Sequence, residues 1–403
     1  MTEKPGSNHL TTALLIVVVI VAVPVAVLLY NNRPPHISVP THKVPSPNAW
    51  DGFARAAAMS PGPPYCGPLC RSDKKVQDWT VADYRADYPS FISHCSAAIT
   101  ELKKSLGQPY MHPPERDAYS LCIPIYAQVR ELARISTSKA LYENALGRPG
   151  DAMDSFLDVL DLGVTLPKGG PIVADLAGTA VEAIGRRNIT ESGVVDKLDG
   201  AELARAARRL EAIAAKRTSI GDVLTEEGYM SAASRSRTFC DSEYRWTLVN
   251  PAKWRDAGSS YGGKSAIGSF WIGSRLAFED KSAVVREELA YWKAVAAEQS
   301  AGYTGKCSVP LPGNIYGHVT DWSEVVVRLS VHHAQAEEKL AKLQTEIALT
   351  RFKLDHRSYP KSLTELRPKY LKKLPADPFA KKKPLQYKVT EGGQSFMLYS
   401  VGP

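Results

Sequence analysis

Residues 258–265 read Gly-Ser-Ser-Tyr-Gly-Gly-Lys-Ser. Gly258, Gly263, Lys264 and Ser265 fit the pattern G-x-x-x-x-G-K-[ST]. In that motif backbone N–H groups cradle phosphates, the lysine reaches them and the hydroxyl holds magnesium. The chemistry needs an apolar strand feeding the first glycine. Here Lys253, Trp254, Arg255, Asp256 and Ala257 come before it, with Pro251 close by, and they make no such strand. The same stretch, Gly258-Ser259-Ser260-Tyr261-Gly262, fits the G-x-S-x-G nucleophile elbow, which needs a strand–turn–helix in a parallel sheet. The surrounding period is helical. The sequence therefore favours a flexible Gly/Ser loop at this place. The alternative is an enzyme whose site is assembled around residues 258–265, either nucleotide-binding or hydrolytic.

Other chemistry-bearing residues are sparse. His333 and Glu337 fall one helical turn apart, with His332 beside them. Two ligands make no metal site, and H-E-x-x-H is absent, so packed or solvated histidines are expected. Cys66 and Cys70 form C-x-x-x-C and not the C-x-x-C of redox and zinc sites. Cys95, Cys122, Cys240 and Cys307 complete a set of six. Outside the cytoplasm the pairings Cys66–Cys70 or Cys95–Cys122, together with Cys240–Cys307, are open, and so are buried free thiols. No catalytic residue, cofactor or metal follows from these patterns.

The elements that would carry such residues begin with an uncharged run from Leu10 to Tyr30. About 20 helical residues cross the roughly 30 Å of a bilayer's hydrocarbon. The run is longer than a signal-peptide core and ends in Leu28, Leu29, Tyr30 and Asn31, a poor cleavage site. It reads as an uncleaved single-pass transmembrane helix that Pro24 kinks. Lys4 before it and Arg33 and Lys43 after it leave the positive-inside count nearly balanced. The reading places the bulk of the chain outside the cytoplasm. Pro34, Pro35, Pro40, Pro45 and Pro47 then make residues 31–48 a semi-rigid spacer.

The chain has 403 residues, 44% of them hydrophobic and 23% charged, with a net charge of +8. These proportions exclude a disordered chain and a disulfide-dense scaffold. The positive charge is too mild and too dispersed to indicate nucleic acid. Asn48 is an N-cap for a helix that Pro61 stops. Periodicity is helical from residue 78 to about residue 343, with a hairpin of arms 125–146 and 152–163 turning at Gly147-Arg148-Pro149-Gly150. Residues 231–273, rich in Gly, Ser and aromatics, read as a long loop. The longest helix is expected from Trp322 to Asp355. After it Leu385, Tyr387 and Val389 alternate with polar residues, Glu391-Gly392-Gly393-Gln394 turns, and 396–401 is a second strand. The fold class is therefore mainly α, with a small C-terminal α+β module. The expected divisions are an N-terminal tail at 1–9, a transmembrane helix at 10–30, a linker at 31–48, a helical domain at 49–320 and the module at 321–403.

In the tail the order is a long helix, Tyr359-Pro360, a short capped helix at Ser362-Leu363-Thr364-Glu365, Leu374-Pro375-Ala376-Asp377-Pro378-Phe379, and a hairpin ending Ser400-Val401-Gly402. This order resembles the C-terminal region of the major pseudopilin of type II secretion systems. The similarity covers about 60 residues, from Ile347 to Gly402. The layout as a whole resembles a group of uncharacterised bacterial membrane-anchored proteins with a helical middle and this tail. The apolar run lacks that family's Phe-Thr-Leu-Ile-Glu start, and the acidic calcium loop is absent, so no calcium is expected. The resemblance implies an interaction or structural role in the cell envelope, linked to a secretion or pilus-like assembly. Tyr359, Phe379, Tyr387 and Phe396 are expected to pack between hairpin and helix. Lys369, Lys372, Lys373 and Lys381-Lys382-Lys383 make the tail basic. The expected partners are the bilayer, envelope proteins and an anionic envelope polymer.

Overall fold

Helix caps and turns fix most element boundaries. The computed structural model describes residues 7–36, 38–60, 75–84, 86–114, 119–319, 322–381 and 383–403. The helical side chains of residues 7–18, 119–123 and 318–319 lie outside the description. In chain order the helices are α1 (Ser7–Asn31), α2 (Ala49–Ala58), α3 (Tyr88–Leu106), α4 (Tyr119–Ala145), α5 (Pro149–Thr165), α6 (Ile172–Glu191) and α7 (Gly200–Ala215). They continue with α8 (Ile220–Cys240), α9 (Ser242–Val249), α10 (Trp254–Ser260), α11 (Ala266–Phe278), α12 (Lys281–Ser300), α13 (Ile315–Val319) and α14 (Ser323–His356). Strands β1 (Gln386–Thr390) and β2 (Ser395–Tyr399) close the chain. The mainly helical class with a small C-terminal antiparallel sheet is the observed one.

Asn48 caps α2 by accepting from Trp50 N–H, as its position implied. Asp199 and Glu202 form a capping box at α7. The region 231–273 departs from the long-loop expectation: it is the end of α8, then α9, α10 and most of α11. Side-chain caps start two of these short helices, Asp241 at α9 and Ser265 at α11. Their lengths are too short for a helical period to stand out against glycines and aromatics.

Two compact units divide the chain, and each draws on separated segments. One takes Met1–Pro40, Gly228–Ala294 and Ser308–Trp322. Its core gathers Leu28, Phe239, Leu248, Leu276, Val284, Val285, Ile315 and Tyr316. Within it α10 and α11 form a tight antiparallel-type hairpin around glycine. A Cβ on Gly258 would stand 1.7 Å from the Ser269 carbonyl oxygen, and one on Gly273 would stand 1.8 Å from that of Trp254.

The other unit takes Thr41–Glu227, Val295–Cys307 and Ser323–Pro403. The expected α4–α5 hairpin is present, and α5 is almost wholly buried between neighbours. Phe156, Leu160 and Leu203 join Leu340, Leu343 and Ile347 of α14 in one core cluster. Below it Ala348, Leu349 and Phe352 pack on Leu363, Leu366, Tyr370 and Leu371, with Tyr359, Tyr387 and Phe396 against them. β1 and β2 pair antiparallel with Tyr387 opposite Leu398 and Val389 opposite Phe396. Asp377 is fully buried and ties this module together: it accepts from Phe379 N–H at 2.9 Å, Ser400 Oγ–H at 2.9 Å and Val401 N–H at 3.2 Å. Phe379 does not join the hairpin aromatics. Its ring packs edge-on against Tyr303 at 5.1 Å, because the Asp377 turn aims it away from β2.

Among the described residues, no helix is long and apolar enough to cross a membrane. The span expected at residues 10–30 falls on α1, whose side chains are described only from Val19 onward.

Candidate functional site

The residues singled out for phosphate or acyl chemistry form a helix–helix corner. Gly258 is helical within α10, and the chain turns at Tyr261 and Gly262, the latter at φ +92°. Ser265 Oγ accepts from Gly268 N–H at 3.0 Å and so starts α11. Lys264 is exposed. The run into Gly258 is helix where the phosphate motif requires strand. Ser259 and Ser260 donate back to the Arg255 and Asp256 carbonyls of their own helix. The glycines serve the close approach of α10 to α11.

Cys95 is a buried free thiol and Cys240 an exposed one. Of the open pairings, Cys95–Cys122 and Cys240–Cys307 are therefore not formed: Cys95 is buried as a free thiol, and Cys240 ends α8 with its side chain open to solvent. Cys66 and Cys70 lie outside the described residues, as does the side chain of Cys122. Among the described residues no three His, Cys, Asp or Glu side chains converge as a metal site.

Two arrangements that the motifs did not announce carry more physical content. The first lies in the unit holding α1. Val19, Ile20, Val21, Val23, Val25, Val27, Leu29 and Tyr30 are 42–65% exposed. At about 100° per residue these positions point all around the helix. Leu28 alone among its aliphatic neighbours is buried, in the core beside α11 and α12. The end of α1 is clamped to the end of α11. A helix leaves its last four carbonyls without intrahelical partners. Here the Glu279 N–H bonds to Arg275 O at 3.1 Å, Lys281 Nζ to Leu276 O at 2.7 Å, Asn32 Nδ2 to Ala277 O at 2.6 Å and Asn31 Nδ2 to Phe278 O at 2.6 Å. Arg245 Nε adds a bond to Asn32 O at 2.9 Å. Burial draws the Lys281 ammonium down to about 7 against the opposing pull of Glu279 and Asp280.

The second lies in the other unit, between α6, α14 and the end of α7. Asp175 and Glu182 stand two turns apart on α6, both buried. His333 of α14, also buried, meets Asp175 Oδ1 through Nδ1 at 3.0 Å and Glu337 Oε1 through Nε2 at 3.5 Å. Arg217 pairs with Glu182. Burial alone would lower His333, but the hydrogen bond to Asp175 and the pairing with Glu337 outweigh it and hold the imidazolium up to about 9. Burial raises Glu182, with Arg217 opposing. Arg217 and Glu337 also reach a cleft of about 770 Å³ between α7, α14 and residues 371–376. Its polar groups are guanidinium, ammonium, carboxylate and amide, from Arg208, Glu211, Gln344, Lys372 and Lys373 as well, over a floor of alanine and leucine. Such a lining suits recognition of a charged chain. A buried imidazolium between two carboxylates is poorly placed to accept a substrate proton.

The pairing of Asn31 and Asn32 just after an apolar run was the available signal for the clamp. The Asp175–His333 contact joins residues 158 positions apart, and no local pattern reports it. No family model, curated protein or solved structure matches the chain.

Proposed function

We propose that this chain is a single-pass membrane-anchored protein whose extracytoplasmic body has an interaction or structural role in the cell envelope, beside a secretion or pilus-like assembly. The observation that carries the proposal is the end of α1. Its aliphatic side chains, Leu28 excepted, are exposed on several sides of the helix, an arrangement costly in water and matched to lipid. The clamp of Asn31 and Asn32 onto α11 then makes a firm joint between the anchor and the rest of its own unit. The pseudopilin-like order of the tail, with Asp377 binding the turn to the strand end, supports the assembly half of the reading. The basic cleft and tail lysines would supply a docking surface for an envelope protein or an anionic envelope polymer.

Protease access to a C-terminal tag in intact spheroplasts tests the topology. Cleavage without detergent is expected. Protection until detergent is added would place the body in the cytoplasm and end the envelope reading.

A further inference from the structure

α11 bears an exposed face that its own unit leaves uncovered. Ile267, Trp271, Ser274 and Phe278 recur at i, i+4, i+7 and i+11, which is one side of a helix. Ile267 is 74% and Trp271 65% exposed, and Phe270 and Phe278, whose rings pack on Trp254, are partly exposed beside them. The opposite side, through Ser269, Gly273, Leu276 and Ala277, is buried. Trp246 of α9, which packs against α11, adds a second exposed indole. Large exposed aromatic and aliphatic side chains grouped in this way mark an interaction surface.

The neighbourhood decides what covers it. The C-terminal carbonyls of α11 at Ala277 and Phe278 receive the amides of Asn32 and Asn31, the residues at which α1 ends. The end of α11 therefore stands where α1 stands. From residue 253 to 281 the chain carries Lys253, Arg255, Lys264, Arg275 and Lys281 against Asp256, Glu279 and Asp280. An apolar face with Trp and Phe, flanked by cations and joined to an apolar helix, has the composition of an element lying in a bilayer's headgroup boundary.

We propose that α11 lies in the membrane interface, with Ile267 and Trp271 turned into the lipid and Arg275 and Lys264 meeting anionic headgroups. This rests on the reading of α1 as a membrane anchor. The occupant is the bilayer surface, and the contact fixes the unit that holds α11 against the membrane.

The full chain, reconstituted into vesicles of zwitterionic and anionic phospholipid with a trace of diazirine-bearing phospholipid, tests it by photolabelling and peptide mapping. Lipid adducts are expected on residues 266–278, several-fold above other exposed peptides, together with adducts on α1. Adducts on α1 with α11 bare would overturn this proposal and leave the anchor standing. Absence of adducts from both would overturn both. Lipid adducts on α11 no more frequent than on other exposed peptides would also overturn it. The double variant Ile267→Glu, Trp271→Glu should lose the α11 adducts and keep those on α1. Independently, Trp271→Phe should reduce the quenching of tryptophan fluorescence by brominated phospholipid. Unchanged quenching would count against the contact.

Discussion

At the scale of single residues, the buried charges make the sharpest statements. His333 holds its proton in the folded chain up to about pH 9, while an unfolded histidine releases it near 6.5. Between those values the folded state binds a proton that the unfolded state has lost. The contribution of His333 to stability is therefore complete below about pH 6.5 and fades as the pH rises to about 9. Asp175 and Glu337 face it and outweigh its burial, which sets this range. The destabilisation by His333→Gln should be largest near pH 6 and shrink as the pH rises to about 9. Urea unfolding of both proteins across that range reads the gap, and a gap that stays constant would contradict the assignment. Lys281, lowered to about 7, works in the opposite sense, so only the difference between wild type and variant isolates His333. Asn32 is the second residue of consequence. Asn32→Ala leaves the Ala277 carbonyl without its donor and should cost about 1–3 kcal/mol. A thermal melt in detergent that matches wild type would show that the clamp contributes little. In the sequence these residues were visible only as types: His333 with Glu337 was legible as one helical face, but Asp175 comes from a distant helix.

At the scale of elements, helix and strand periods were legible wherever an apolar stripe ran long enough. The helix expected from Trp322 to Asp355 is α14, Ser323–His356, and the alternation of Tyr387 and Val389 lies in β1. The Ser362 capping box and the Asp377 turn stand where their residue types put them. The region 231–273 was not legible as helix, because glycines at the α10–α11 contact imitate loop composition. Those glycines are packing residues, so Gly258→Ala should destabilise by about 3 kcal/mol or more. The added methyl would meet the Ser269 backbone at 1.7 Å, and neither helix can yield cheaply. A melting temperature within a degree or so of wild type would refute the close approach. Asp377→Ala should loosen the tail in a different way, freeing Ser400 and Val401. Faster amide exchange confined to residues 376–403 is the expected signature, and unchanged exchange there would count against the turn as the tie.

At the scale of the whole chain, sequence order does not describe the units. The expected divisions at 49–320 and 321–403 follow composition, whereas the compact units interleave separated segments, and α8 and α12 each contribute to both. Long-range pairing of this kind leaves no local trace. The basic surface makes a further prediction at this scale. Attraction of the tail lysines to an anionic polymer should weaken steeply as salt rises, because exposed charges are screened within about 10 Å at 0.1 M. Binding that ignores salt would remove the electrostatic part of the proposal. The central claim is that α1 inserts in a bilayer and carries the rest of the chain. Alkaline carbonate extraction of membranes containing the full chain tests it most directly, with a variant carrying Ile20→Asp and Val23→Asp alongside. The account predicts that the wild type stays in the pellet and the variant moves to the supernatant. Release of the wild type by carbonate would contradict it.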